Sequence, residues 1–412
     1  MSERVRSLDV LRGVALLGIL PANIPYFGLP AALGRVDRGF AYHATRLFFD
    51  YKFITIFSLL FGVGIALQRR SAERSGRSFG WTMTRRLLVL WIFGIAHAVL
   101  LWYGDIVSYY APLGLLLFWA SGARPRRLAI AGSILIAIPI VGMGTVAPLI
   151  SLRPDRPPAS WLSATEVPRG DAAAARRAVH GSDREFLEAL QPPGPELERA
   201  VFREGSYGRV TIFRAVLWIG GLFEWGWYIG WRIAGLFLLG MALAGTGWLS
   251  APVDRGRVLR VAAIGMAVGL PLHVGSSFLA GTAPVSTARD LWAELLLYAG
   301  SLASAAAYVA LVGLATAGGV PRVLRPLEAI GRTAFSNYLL QSLLCTLFFY
   351  SYGLARFDTL DSLDLWLVVA AVWAVQLVVS PLWLSAFAAG PVEWLWRTLT
   401  YWRFQPIRRP AP

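Results

Sequence analysis

Long apolar stretches alternate with short polar ones along most of this chain. Ten stretches are apolar enough to cross a bilayer: 8–28, 47–67, 86–103, 106–121, 128–150, 226–248, 258–280, 290–316, 333–352 and 363–388. Backbone groups in hydrocarbon must be paired within the segment, so each predicts a helix. The expected fold class is all-α, a polytopic membrane protein of about ten transmembrane helices. The fourth stretch is short and carries Pro112, and a further apolar run at 209–223 predicts either an interfacial helix or an eleventh span.

The arginines fall in alternate gaps. Arg4 and Arg6 precede the first stretch; Arg69, Arg70, Arg74, Arg77, Arg85 and Arg86 follow the second, and Arg124, Arg126 and Arg127 the fourth. Arg255, Arg257 and Arg260, then Arg322, Arg325 and Arg332, then Arg397, Arg403, Arg408 and Arg409 continue the series, while the intervening short gaps carry few. By the positive-inside rule both termini are expected in the cytoplasm. Four regions follow: 1–150 with five spans, a Pro-rich extracytoplasmic loop at 151–208, the remaining spans over 209–388, and a basic tail at 389–412. Within the loop, 171–190 predicts a helix, which serves as a cap over the bundle or as a tether. Residues 390–397, rich in tryptophan, predict an interfacial helix on the inner leaflet.

Composition agrees with this reading. Of 412 residues 56% are hydrophobic and 15% are charged, against about a quarter charged in soluble domains. The net charge of +15 argues for membrane orientation and not for nucleic acid, because the arginines flank apolar stretches instead of forming a stripe with aromatics. Cys345 is the one cysteine, which excludes an internal disulfide and a cysteine metal cluster; no metal is expected.

Polar residues inside the stretches are the candidate chemistry, since lipid depth makes them costly. His97 lies roughly 16 Å from Arg86 by helical rise, near mid-bilayer, where imidazole is a general base or an interhelical packing group. Asp105 orients an imidazole or caps the fourth span. Asn23, between Pro21 and Pro25, is expected in broken helix at similar depth, offering an amide to a carbonyl oxygen or to carbonyls freed by proline. Asp9 and Arg12 share a face as an ion pair or as part of an inner mouth, with Arg12, Arg85, Arg86 and Arg332 available to phosphates. Lys52, the one lysine, lines a polar pocket or snorkels to the outer interface. Asn337 and Gln341, four apart, bond between helices or face the same pocket.

Several runs carry a resemblance. Arg6-Ser7-Leu8-Asp9-Val10-Leu11-Arg12-Gly13-Val14-Ala15, Phe57-Ser58-Leu59-Leu60-Phe61-Gly62-Val63-Gly64, Leu101-Trp102-Tyr103-Gly104-Asp105-Ile106, Gly331-Arg332-Thr333-Ala334-Phe335-Ser336-Asn337-Tyr338-Leu339-Leu340-Gln341-Ser342 and Gly390-Pro391-Val392-Glu393-Trp394-Leu395-Trp396-Arg397 together closely resemble the YeiB family of bacterial inner-membrane proteins. The N-terminal pattern is similar to that of the membrane acyltransferase superfamily that includes heparan-α-glucosaminide N-acetyltransferase. That likeness implies transfer of an acyl group from cytoplasmic acyl-CoA to a hydroxyl or amine of a sugar or other small-molecule or glycan acceptor across the membrane. It places Asn23 at the superfamily's first-span asparagine; His97, in the third span, departs from the position of its histidine. The leading expectation is acyl transfer with acyl-CoA docked among Arg12, Arg85, Arg86 and Arg332, Asn23 on the oxyanion and His97 as base beside Asp105. The rival is a transporter or exporter using the same residues as a substrate site or proton relay, and a third reading is a non-catalytic scaffold or receptor. Oligomeric state stays open.

Overall fold

A computed structural model describes residues 3–30, 39–76, 78–151, 171–190, 194–246, 254–281 and 287–408. In chain order the helices are α1 (Glu3–Gly28), α2 (Phe40–Phe48), α3 (Lys52–Arg74), α4 (Phe79–Leu100), α5 (Val107–Leu117), α6 (Pro125–Ser151), α7 (Ala172–His180) and α8 (Asp183–Ala189). They continue as α9 (Pro195–Glu204), α10 (Tyr207–Gly245), α11 (Arg255–Gly281), α12 (Thr287–Ala315), α13 (Arg325–Arg332), α14 (Ala334–Phe349), α15 (Ser362–Ala386) and α16 (Pro391–Tyr401). Among the described residues there is no β-sheet, only two isolated bridges. Among the described residues, eight helical stretches are long and apolar enough to cross a membrane. The predicted fourth and ninth spans are the shorter α5 and α14, of 11 and 16 residues. α6, α11 and α15 leave large apolar side chains exposed, such as Ile134, Ile264 and Leu367, as a lipid-facing surface requires. The chain is an all-α, multi-pass membrane protein.

Four local expectations are corrected. α1 runs unbroken through Pro21 and Pro25. Pro21 cannot donate to Leu17, and the carbonyl so freed accepts the Trp373 indole N–H at 3.0 Å from α15; one turn of helix is thus repaired by a neighbour. The second span is two helices, α2 and α3, broken at Tyr51, whose φ is 59°. Lys52 does not snorkel: it is wholly buried, and its Nζ donates to the carbonyls of Arg46 and Asp50 at 3.0 and 3.3 Å, placing its charge on the negative end of α2. The run 209–223 is neither a separate interfacial helix nor an eleventh span. It opens the 39-residue α10, about 58 Å long at 1.5 Å per residue, roughly twice the hydrocarbon thickness.

The surplus length of α10 carries a small helical cap. The expected helix over 171–190 is two, because Ser182 starts a new one with a capping box to Glu185. Prolines 154, 157, 158, 192 and 193 lie outside the described residues. The cap packs as a body instead of hanging as a tether. Phe202 stacks on Tyr350 at 4.2 Å, the Ser351 N–H donates to the Phe202 carbonyl at 2.7 Å, and Arg203 donates to the carbonyls of Phe357 and Asp358 at 2.6 and 2.5 Å. One hydrophobic cluster joins Val179, Phe186 and Val201 of the cap to Phe27, Trp102, Cys345 and Phe349 of the bundle.

Glu204 ties α9 to α7 through His180 (3.1 Å) and Arg176 (2.9 Å), and the His180 hydrogen bond, followed by Arg176, holds its carboxyl below the ordinary value. A depressed acid stabilises the fold above the unfolded value, about 4.3, and loses that contribution as pH falls through the lower folded value. A spin label on the exposed face of α7 is therefore expected to gain mobility between about pH 5 and pH 3. Glu204→Gln is expected to remove that step; a step of unchanged size in the variant would show that other groups govern the cap.

Candidate functional site

The last turn of α4 and the six residues after it build the centre of the site. Gly94 lets α5 approach α4: a Cβ there would meet the Ser108 backbone nitrogen at 2.5 Å. The helix stops at Leu100, and the N–H groups of Leu101 and Trp102 both close on the His97 carbonyl at 2.9 Å. The chain then turns back through Gly104, where a Cβ would strike the Trp102 ring at 2.4 Å. Asp105 thereby returns beside His97 instead of standing two turns farther along a continuous helix.

Asp105 Oδ1 is 2.8 Å from His97 Nδ1 and accepts from the Tyr338 hydroxyl at 3.1 Å. Its Oδ2 accepts the Ser108 N–H at 2.5 Å, so one carboxylate both orients the imidazole and caps α5. Tyr338 in turn accepts the Ile106 N–H at 3.2 Å. On the far side of the ring, His97 Nε2 is 2.8 Å from Ser342 Oγ. A carboxylate only accepts, so Nδ1 carries the hydrogen and Nε2 presents a lone pair to the Ser342 hydroxyl. The order Ser342–His97–Asp105 is that of a nucleophile, its base and the group that orients the base. Exposures of 1%, 3% and 2% for Ser342, His97 and Asp105 place the whole relay in the protein interior, where a satisfied polar chain is strengthened by the low dielectric.

The remaining expected residues divide. Arg12 pairs with Asp9 at 2.6 Å, and both lie where α1 crosses α13: Arg6 grips Glu328 with two 2.8 Å bonds, and Asp9 feels the charges of Arg332 and Glu328. Arg86 stacks on Trp396 of α16 at 3.6 Å and lies within electrostatic reach of Arg12 and Arg397. Arg12, Arg86, Arg332 and Arg397 thus share one arginine-rich face. Arg85 turns to Trp81 instead. The carboxylate of Glu393 caps the N-terminus of α14 at this face, accepting the N–H groups of Phe335 and Ser336 at 2.7 and 3.1 Å. Ser342 is eight residues, about 12 Å, farther along α14.

Asn23 is half-buried, and none of the hydrogen bonds of His97, Asp105 or Ser342 reaches it. Asn337 and Gln341 belong to an interlocked ladder: Asn337 Nδ2 donates to Ser380 Oγ at 2.9 Å, Gln341 Nε2 to Gln376 Oε1 at 3.0 Å, and Gln376 Nε2 to Asn337 Oδ1 at 3.1 Å. These amides hold α14 against α15. Ser342, one residue beyond the ladder, is the functional candidate that the sequence did not single out. Its one signal was position, four residues after Tyr338 on the same helix face. Among the described residues no group of three or more His, Cys, Asp or Glu is placed to hold a metal ion.

Comparison with known proteins adds a family to this geometry. Residues 243–403 match the family described as "Protein of unknown function (DUF418)". The uncharacterized protein YxaH of Bacillus subtilis is 31% identical over 99% of this chain and 97% of its own length. The uncharacterized protein YeiB of Escherichia coli is 30% identical over 97% and 96%, and an uncharacterized 39.9 kDa protein in the amylase 3′ region of Bacillus acidopullulyticus is 29% identical over 99% and 96%. No solved structure matches. With end-to-end similarity of this kind, the chain belongs to the YeiB-like family of membrane proteins.

Proposed function

We propose that this protein is a membrane-embedded acyltransferase of the bacterial inner membrane. Its arginine-rich face, with both termini, is cytoplasmic and receives an acyl-CoA, whose phosphates sit among Arg12, Arg86 and Arg332. The Ser342–His97–Asp105 relay carries the reading. Ser342 Oγ attacks the thioester carbonyl while His97 Nε2 takes its proton; the C–S bond breaks, and the CoA thiolate leaves with that proton. An acceptor hydroxyl or amine then attacks the acyl-Ser342 ester, His97 takes the acceptor's proton and returns it to Ser342, and the acylated product departs. Asp105 stays ionised and holds the imidazolium. Asn23 is assigned no role in these steps.

Ser342, His97 and Asp105 are each 3% exposed or less, so loading and release belong to a conformation in which this interior opens. The same burial favours one other reading, a proton relay in a small-molecule transporter. Proteoliposomes separate the two. Labelled acetyl-CoA supplied at the arginine-rich face, with a panel of sugar and amine acceptors opposite, is expected to yield acylated product. A substrate crossing chemically unchanged, blocked by His97→Ala, would favour transport, and neither product nor flux would overturn both.

A further inference from the structure

A second buried polar cluster lies among α2, α3, α10, α11 and α12, apart from the relay. Arg46 pairs with Glu294 at 2.9 Å and donates to Ser276 Oγ at 3.0 Å. Lys52, described above, lies two residues from Asp50, the strongest opposite charge acting on it. Arg232 is different. Its side chain is 1% exposed, and its hydrogen bonds go only to neutral oxygens: Thr55 Oγ1 at 2.5 Å, Ser301 Oγ at 2.7 Å and the Tyr298 carbonyl at 3.1 Å. Its guanidinium lies over the Tyr298 ring at 4.3 Å and the Tyr51 ring at 5.4 Å. The acidic groups acting on it most strongly are the phenols of Tyr298, Tyr228 and Tyr51, none of which is a carboxylate. Nε is buried and makes no hydrogen bond.

A guanidinium sealed at lipid depth is expensive, and aromatic faces and hydroxyls return only part of the cost. Arginine retains its charge at any working pH, so it cannot escape by losing a proton. The observed partners fix the fork in one plane yet leave a donor without an acceptor. An oxyanion would complete it, one oxygen accepting the free Nε–H and supplying the negative charge that the neutral partners lack. Thr55 stands in the first turn of α3, just after the Tyr51 break, and Arg69, Arg70 and Arg74 stand in its last turns, so the cluster lies at the end of α3 opposite those arginines.

We infer that Arg232, framed by Tyr51, Tyr228 and Tyr298, is a binding site for a carboxylate- or phosphate-bearing ligand entering between α3, α10 and α12. The site is independent of the relay and stands whether or not acyl transfer is confirmed. Phosphate on a lipid headgroup and phosphate or carboxylate on a soluble molecule share the chemistry it recognises.

The test is thermal unfolding of the purified full chain, titrated with inorganic phosphate, with acetate and with dioctanoyl phosphatidate, against matched chloride. The expected result is a saturable rise in the midpoint with at least one probe. A rise with phosphatidate alone assigns the site to a lipid headgroup; a rise with phosphate or acetate assigns it to a soluble oxyanion. Arg232→Met is expected to abolish the response. Should that variant not fold, Arg232→Lys keeps the charge without the fork and is expected to raise the half-saturating concentration about tenfold. No saturable rise with any probe, or a wild-type response in either folded variant, would overturn the assignment.

Discussion

Ser342→Ala is expected to reduce acyl transfer by about 10⁴-fold or more while leaving the unfolding midpoint within a few degrees of wild type. The hydroxyl that would form the acyl bond is gone, and the loss of one oxygen leaves only the His97 Nε2 lone pair unpaired. His97→Ala should cost about as much in rate, and the double variant little more than either single one, because residues of one relay act as a unit. Asp105→Asn should also lose about 10⁴-fold, since an amide N–H toward Nδ1 favours the tautomer whose Nε2 carries hydrogen and cannot accept from Ser342. Tyr338→Phe removes one of three donors to Asp105 and should have a far smaller effect. Rates measured with wild-type and variant protein in the same lipid check the series. Independent, additive losses from Ser342→Ala and His97→Ala would argue that the two do not share a step.

The second large effect concerns the crossing that seats α14. At Gly331 a Cβ would lie 1.7 Å from the Asp9 carbonyl oxygen, and at Gly13 a Cβ would lie 2.0 Å from the Leu327 carbonyl oxygen. Backbone meets backbone here, so no side chain can rotate away. Gly331→Val is expected to destabilise the protein by about 3 kcal/mol or more through overpacking. The damage should spread to the Arg6–Glu328 pair and to the start of α14, only three residues on. Lower yield of folded protein and a fallen unfolding midpoint are the readouts. Gly64, whose Cβ would meet nothing within 4 Å, is the control: Gly64→Ala should be tolerated. Equal behaviour of the two variants would contradict the close crossing.

The crossing also explains what the sequence could and could not show. Apolar length sufficed for most spans because hydrocarbon thickness sets one scale for all of them. That scale failed where protein replaces lipid: α5 and α14 are shorter than a bilayer and lie among other helices. α10 was divided in expectation because the apolar content lapses near Glu224, but a helix needs only backbone pairing to continue. The prolines of α1 looked disruptive because the Trp373 indole that donates to the freed Leu17 carbonyl lies 356 residues from it in sequence. His97 and Asp105 were visible because ionisable groups are conspicuous in apolar surroundings. Ser342 was not, since a serine in an apolar helix ordinarily bonds its own backbone. Only the turn at 101–106 and the Gly13–Gly331 crossing reveal which serine meets the imidazole. The polar amides Asn337 and Gln341 drew attention for the same reason as His97, and their hydrogen bonds tie α14 to α15.

The most direct test is peptide mass spectrometry of purified protein quenched in acid after brief exposure to acetyl-CoA without acceptor. The account requires an added acetyl group on Ser342 within the Ala334–Phe349 segment, absent in His97→Ala and discharged when a competent acceptor is added. Acylated product formed with Ser342 never modified, and formed at wild-type rate by Ser342→Ala, would contradict it.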